Sequence, residues 1–165
     1  MKNLSLLVFA IAIALKAYPQ VSLKSPQDLK NWLPAEIAGY EAGKEDYSDE
    51  LSQDGNSYFI SAKKYTKGQS VISIVAFDYR KKSENIIKAT ALWEANKKME
   101  DDKLYSINSM VAGCKAQETL DKVKNTAQLY LYYADRYLIT LAATGENLDF
   151  LKTVAGSLPL TSLPE

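Results

Sequence analysis

Residues 129–145, LYLYYADRYLITLAATG, constrain the fold more than any other part of the chain. Positions 129–133 are all Leu or Tyr, and 137–142 are nearly all apolar. Tyr, Leu and Ile suit a pleated, half-buried surface. The only polar interruption, Ala134-Asp135-Arg136, is short enough for a tight turn, so the stretch predicts a β-hairpin. Alternation along the first arm puts Tyr130 and Tyr132 on one face and Tyr133 on the other.

A second hairpin is expected from two β-rich arms, 58–66 and 70–79, around Lys67-Gly68-Gln69. In its second arm Val71, Val75, Phe77 and Tyr79 share one side, and Ile72, Ile74 and Ala76 the other. With both sides apolar, that strand is expected to be central and covered on both faces. Further strands are expected at 104–108 and 110–120, with Gly113 read as a bulge or a close backbone approach. In the latter, Cys114, Ala116 and Leu120 oppose Lys115, Gln117 and Thr119, so one face meets water.

Three helices are expected. Ser25-Pro26-Gln27-Asp28 carries a capping box with proline at the first helical position, ahead of Leu29, Trp32 and Leu33. Residues 83–99 predict the main helix, with Ser83 as cap and Trp93 in its apolar stripe. Asn147 is expected to cap a last helix bearing Leu148, Leu151, Val154, Ala155 and Leu158, which Pro159 stops. Residues 37–40 predict a short strand, and the tail 160–165 shows no pattern.

Between these elements lies an acidic segment. Glu41, Glu45, Asp46, Asp49, Glu50 and Asp54 face only Lys44. Their spacing does not fit a calcium loop, so a solvated, mobile loop is expected.

The first residues read as a leader. Met1-Lys2-Asn3 is a short positive start, and 4–15 is an apolar run broken only by Ser5. Such a run is short for a membrane span and right for a signal peptide, with cleavage expected after Ala17. No cysteine follows it, which closes the lipoprotein route. The protein is therefore expected to be exported to the periplasm or beyond, as a single domain over 18–165 with no stable membrane insertion. Without Lys2 and Lys16, the 20 basic residues fall to 18, against 20 acidic. No basic excess remains to neutralise phosphates, so nucleic acid is not an expected partner.

Two absences limit the chemistry. The chain has no histidine, which excludes Ser-His-Asp and Cys-His arrangements and every histidine metal site. Its single cysteine, Cys114, permits no intrachain disulfide and reads as a small buried hydrophobe. No GxSxG, SxxK, P-loop or GxGxxG pattern occurs. No catalytic residue, metal or cofactor is expected.

The order of elements predicts an α+β fold, an antiparallel sheet of about six strands with helices packed on it. The pattern resembles the Mog1/PsbP-like group of small α/β/α sandwiches. Three places carry the resemblance. They are Leu33-Pro34 through Gly39-Tyr40, the central helix after Tyr79, and the strand 136–141 followed by Asp149-Phe150-Leu151 and Ser157-Leu158. The resemblance implies a fold and a setting among accessory and binding proteins, with no shared catalytic residues.

The candidate contacts are Tyr130 and Tyr132, as a row on one sheet face, Asp135 and Arg136, as an exposed ion pair at the hairpin tip, and Arg80, leading the cations Arg80-Lys81-Lys82. These predict a non-enzymatic binding or accessory module that meets a protein partner through a sheet face or hairpin tip. Two other functions fit the same residues: a carrier of a small apolar ligand or lipid, and a hydrolase built on paired carboxylates.

Overall fold

The computed structural model describes residues 20–164 except Glu45, Asp54, Lys82, Ser83, Leu92 and 94–96. The leader expected over 1–17 and the cap expected at Ser83 lie outside the described residues.

In chain order the elements are α1 (Pro26–Trp32), β1 (Glu41–Ala42), β2 (Tyr47–Gln53), β3 (Asn56–Lys67), β4 (Ser70–Asp78) and α2 (Glu84–Thr90). Then come β5 (Lys98–Glu100), β6 (Leu104–Val111), β7 (Cys114–Asp121), β8 (Thr126–Tyr133), β9 (Tyr137–Thr144) and α3 (Leu148–Ser157). A 3-10 turn, Leu160–Ser162, follows. The strands make one antiparallel sheet in the order β1-β3-β4-β9-β8-β7-β6-β5, with β2 also paired to β3. The chain is thus α+β, as its sequence predicts, with nine strands in place of about six.

The leading hairpin forms as expected. β8 and β9 pair from Thr126↔Thr144 to Tyr133↔Tyr137 around the turn 134–136. β9 also pairs with β4, in register Phe77↔Leu138, and this joins the β2-β3-β4 strands to the β5–β9 meander. One face of the joined sheet is closed. Phe59, Ile72, Ile74, Leu129, Leu131, Ile139 and Leu141 are all within 1% of full burial there. Leu29 and Trp32 of α1, and Leu151, Val154 and Ala155 of α3, complete this core. Both caps hold. The Ser25 and Asp28 side chains form the capping box, and Asn147 accepts from the Phe150 N–H at 2.8 Å.

The additional strands come from segments whose sequence reads otherwise. The acidic stretch is largely an edge strand, not a loop. β2 pairs with β3 along its whole length, from Tyr47↔Ala62 to Gln53↔Asn56. An edge tolerates charge on its open side. Here the Asp49 carboxylate accepts from its neighbour's N–H, Glu50, at 2.8 Å and from the Tyr47 hydroxyl at 3.1 Å. The main helix is shorter than its stripe. It ends at Thr90, whose hydroxyl donates back to the Ile86 carbonyl at 2.8 Å, and Lys98–Glu100 pairs with β6 instead.

Gly113 is not a bulge. With Ala112 it forms the turn between β6 and β7, at φ 78° and 51° respectively, closing Val111↔Cys114. Residues 37–40 make a single bridge around Gly39 rather than a strand. The patternless tail belongs to the core: Leu160 and Leu163 are buried, and the Ser162 carbonyl accepts from the Val21 N–H. β4 is central as predicted, but only its inner side is fully buried. Val71, Val75 and Phe77 on the outer side are half-buried, so the second cover is partial.

Candidate functional site

Cross-strand register decides what shares the outer face. Tyr58 and Ile60 of β3, Val75 and Phe77 of β4, Leu138 of β9 and Tyr132 of β8 all point there, because directly paired residues lie on the same side of an antiparallel sheet. Tyr79 follows Phe77 by two residues and prolongs the row past the end of β4. The rings of Tyr58, Phe77 and Tyr79 touch one another, with centroids 5.6–6.4 Å apart, and Phe77 and Tyr79 are within 16° of parallel.

Tyr132 sits deeper, at 4% exposure, and its hydroxyl has no hydrogen-bond partner among the described residues. Burial pushes this phenol up to about 12, with Asp135 and Tyr79 adding to the shift. It therefore stays a neutral donor at any physiological pH. A buried hydroxyl without a partner costs about 1–3 kcal/mol. Tyr130 shares the face, as the sequence predicts, but stands apart from this cluster. Its hydroxyl donates to the Gln128 side chain at 2.7 Å, and Trp93 meets its ring edge-on at 6.4 Å.

The hairpin-tip pair is replaced by a different one. Arg136 turns inward and grips Asp78, with Nε–Oδ1 at 2.6 Å and a second bond, from NH2 to Oδ2, at 2.9 Å. The Asp78 side chain is fully buried and that of Arg136 is 14% exposed. This two-pronged geometry fits a planar guanidinium to a carboxylate. The hydrogen bonds that Arg136 donates to Asp78 raise its pKa. Arg136 thus ties the turn 134–136 to the end of β4, a structural task, and Asp135 remains in the turn with its backbone at φ 53°.

Arg80 follows β4 with its side chain on the Phe59 side of the sheet, opposite the aromatic cluster. Its backbone is left-handed, at φ 62°, and its N–H donates to Asp78 Oδ1 at 2.7 Å. The guanidinium lies 4.6 Å from the centroid of the Phe59 ring and donates to Glu50 at 3.2 Å and Ser57 at 3.3 Å. A shallow cleft of about 240 Å³ opens here, lined by Gly55, Asn56, Ser57, Tyr79, Arg80 and Lys81.

Among the predicted contacts, then, Tyr130 and Tyr132 share the outer face, Arg80 packs on Phe59 on the side of the inner core, and Arg136 is spent inside. Tyr58, Phe77 and Tyr79 are the residues that sequence reasoning did not pick as a site. Their signal was present in the two-residue spacing of Phe77 and Tyr79, but the register that adds Tyr58 is a long-range fact. The carboxylates elsewhere serve the scaffold. Glu118, buried at 4% exposure, accepts from Lys152 at 2.9 Å and from the Ser109 hydroxyl at 2.6 Å. Asp28, Glu100, Asp101 and Asp121 are held below the usual carboxylate range, each by hydrogen bonds from nearby N–H groups or a lysine. Among the described residues no group of acidic or cysteine side chains is placed to hold a metal ion. None of their helices is long and apolar enough to cross a membrane.

Fold and surface define a small α+β domain whose antiparallel sheet is sealed on one face and presents a half-buried aromatic cluster on the other. The chain matches no protein-family model, no curated protein and no solved structure.

Proposed function

We propose that this is an exported, non-enzymatic binding or accessory module that engages a protein partner through the outer face of its sheet. The observation that carries this reading is the half-buried Tyr58-Phe77-Tyr79 cluster on that face. Aromatic rings supply large contact area at low entropy cost. The Mog1/PsbP-like resemblance supports the same setting, and a single antiparallel sheet carrying helices is consistent with it. The downward-shifted carboxylates favour binding over acid–base hydrolysis, which needs a carboxyl held protonated near neutral pH.

The test is capture of partners from native envelope extract on the domain 18–165, read by mass spectrometry. One reproducible, stoichiometric protein is expected, and Phe77→Ala should release it. No protein partner, together with a lipid or small molecule freed on denaturing the purified domain, would replace this reading with the carrier.

A further inference from the structure

We infer that the open edge of β2 takes up an extended segment of a partner polypeptide as an added strand, with a lysine or arginine of that segment opposite Asp49. This deepens the sheet-face reading, because it names the element by which the partner docks, and rests on it.

Register decides which backbone groups the edge offers. Lys67↔Ser70 closes the two-residue turn Gly68-Gln69, so Phe59, Ser61, Lys63 and Tyr65 turn their backbone groups to β4. Alternation then turns those of Tyr58, Ile60 and Ala62 to β2. Their partners Leu51, Asp49 and Tyr47 face β3, which leaves Ser48, Glu50 and Ser52 facing outward. No strand lies beyond that edge among the described residues. An open edge of this kind is a template for another chain. Here it is guarded. The Glu50 N–H, at the middle of the edge, donates to Asp49 Oδ1 at 2.8 Å, and the Tyr47 hydroxyl holds Oδ2 at 3.1 Å. The carboxylate thus occupies a donor that an incoming strand needs.

The guard and the charge around it select the occupant. A cation opposite Asp49 shares the outer face with it at a non-hydrogen-bonded pair, where cross-strand side chains come closest. It draws the carboxylate away, and the Glu50 N–H passes to a carbonyl of the incoming strand. Residues 41–54 carry six carboxylates against Lys44 alone. Arg80 pairs with Glu50 on the inner side, whereas Asp49 makes no ion pair among the described residues. A second copy, antiparallel about the middle of β2, would set Asp49 opposite Asp49 or Glu50 opposite Glu50, and like charges directly opposite repel. On either side of Asp49 the added strand meets Tyr47, 46% exposed, and Leu51, the register partner of Tyr58 in the aromatic cluster. Its outer side therefore reads apolar, cationic, apolar at alternate positions.

The probes are the N-acetylated, C-amidated peptide Val-Thr-Lys-Thr-Val and the same peptide with glutamate in place of lysine. Each is titrated into the purified ¹⁵N-labelled protein and followed by backbone amide shifts and hydrogen exchange. The lysine peptide should slow exchange at Ser48 and Glu50 in a saturable manner and leave Tyr47, Asp49 and Leu51, already bonded to β3, unchanged. It should bind at least about fivefold more tightly than the glutamate peptide. Asp49→Asn should erase that preference, whereas Asp102→Asn, at an exposed position in the turn between β5 and β6, should keep it. Equal binding of the two peptides, an unchanged preference in Asp49→Asn, or no slowing at Ser48 and Glu50 would each overturn the edge site. Failure is separable from failure of the sheet-face reading. If the peptides leave β2 untouched and Asp49→Asn still captures the protein partner that Phe77→Ala loses, the face stands and the edge site falls.

Discussion

Asp78 holds three hydrogen bonds from two arginines at a position with no exposure, and much of one end of the sheet depends on it. Removing one member of a buried pair leaves the other charged and desolvated, at a cost of about 3–5 kcal/mol. Asp78→Ala should therefore lose stability of that order in urea unfolding. Glu84→Ala, which breaks the exposed Glu84–Lys88 pair, should stay within about 0.5 kcal/mol. If the two variants unfold alike, Asp78 is not the anchor. Two tyrosines give a contrast of opposite sign. The Tyr137 hydroxyl donates to the Pro164 carbonyl at 2.8 Å, so Tyr137→Phe should cost about 1 kcal/mol. The Tyr132 hydroxyl has no partner among the described residues, so Tyr132→Phe should leave the protein as stable or up to about 1 kcal/mol more stable. None of this was legible from adjacency. Asp135 stands next to Arg136 in sequence, but the carboxylate that binds it lies 58 residues away.

Elements bounded by local chemistry were legible, and elements created by pairing were not. The Ser25–Asp28 box and the Asn147 cap are both written in a few adjacent residues and both form. Asn147→Ala should accordingly lower stability by about 1 kcal/mol, measured by thermal or urea unfolding. β2 and β5 carry Asp, Glu and Lys at positions where strand propensity is low, and they exist because β3 and β6 supply a template. The helix stripe over 83–99 is a genuine periodicity, yet α2 ends at Thr90 and Lys98–Glu100 pairs with β6. Turn chemistry lies between these cases. Gly113 was visible, but its role as a turn residue depends on Ala112 also taking a left-handed backbone, which alanine disfavours by about 1–2 kcal/mol. Ala112→Gly relieves that strain and gives back part of the gain as unfolded-chain entropy. A net stabilisation of about 0.5–1 kcal/mol is expected. Destabilisation would mean that the alanine methyl has a packing role.

At the scale of the whole molecule, the sheet is a barrier between a dry face and a half-wet one. The binary pattern of β7, β8 and β9 revealed the dry face, because each strand alternates on its own. The candidate surface was only half visible, since it is assembled from β3, β4, β8 and β9 and needs the order of strands as well as their pattern. That same burial of tyrosine predicts how the molecule fails in alkali. Burial is the leading cause that pushes the hydroxyls of Tyr40, Tyr65 and Tyr132 up to about 12. In the unfolded chain these phenols ionise near about 10. Below that pH both states keep their protons and the stabilisation is fully present. Between about 10 and 12 the unfolded chain releases protons that the folded chain retains, so stability falls as pH rises. Urea midpoints should therefore be flat up to about pH 9 and then drop steeply. Phenolate absorbance should rise in two stages, the second coinciding with loss of the far-ultraviolet circular dichroism signal of the sheet. Tyr65→Phe removes one such group and should make the drop shallower. If instead all 11 tyrosines titrate together near 10 while the sheet signal persists, water reaches the rings and the sealed inner face is wrong.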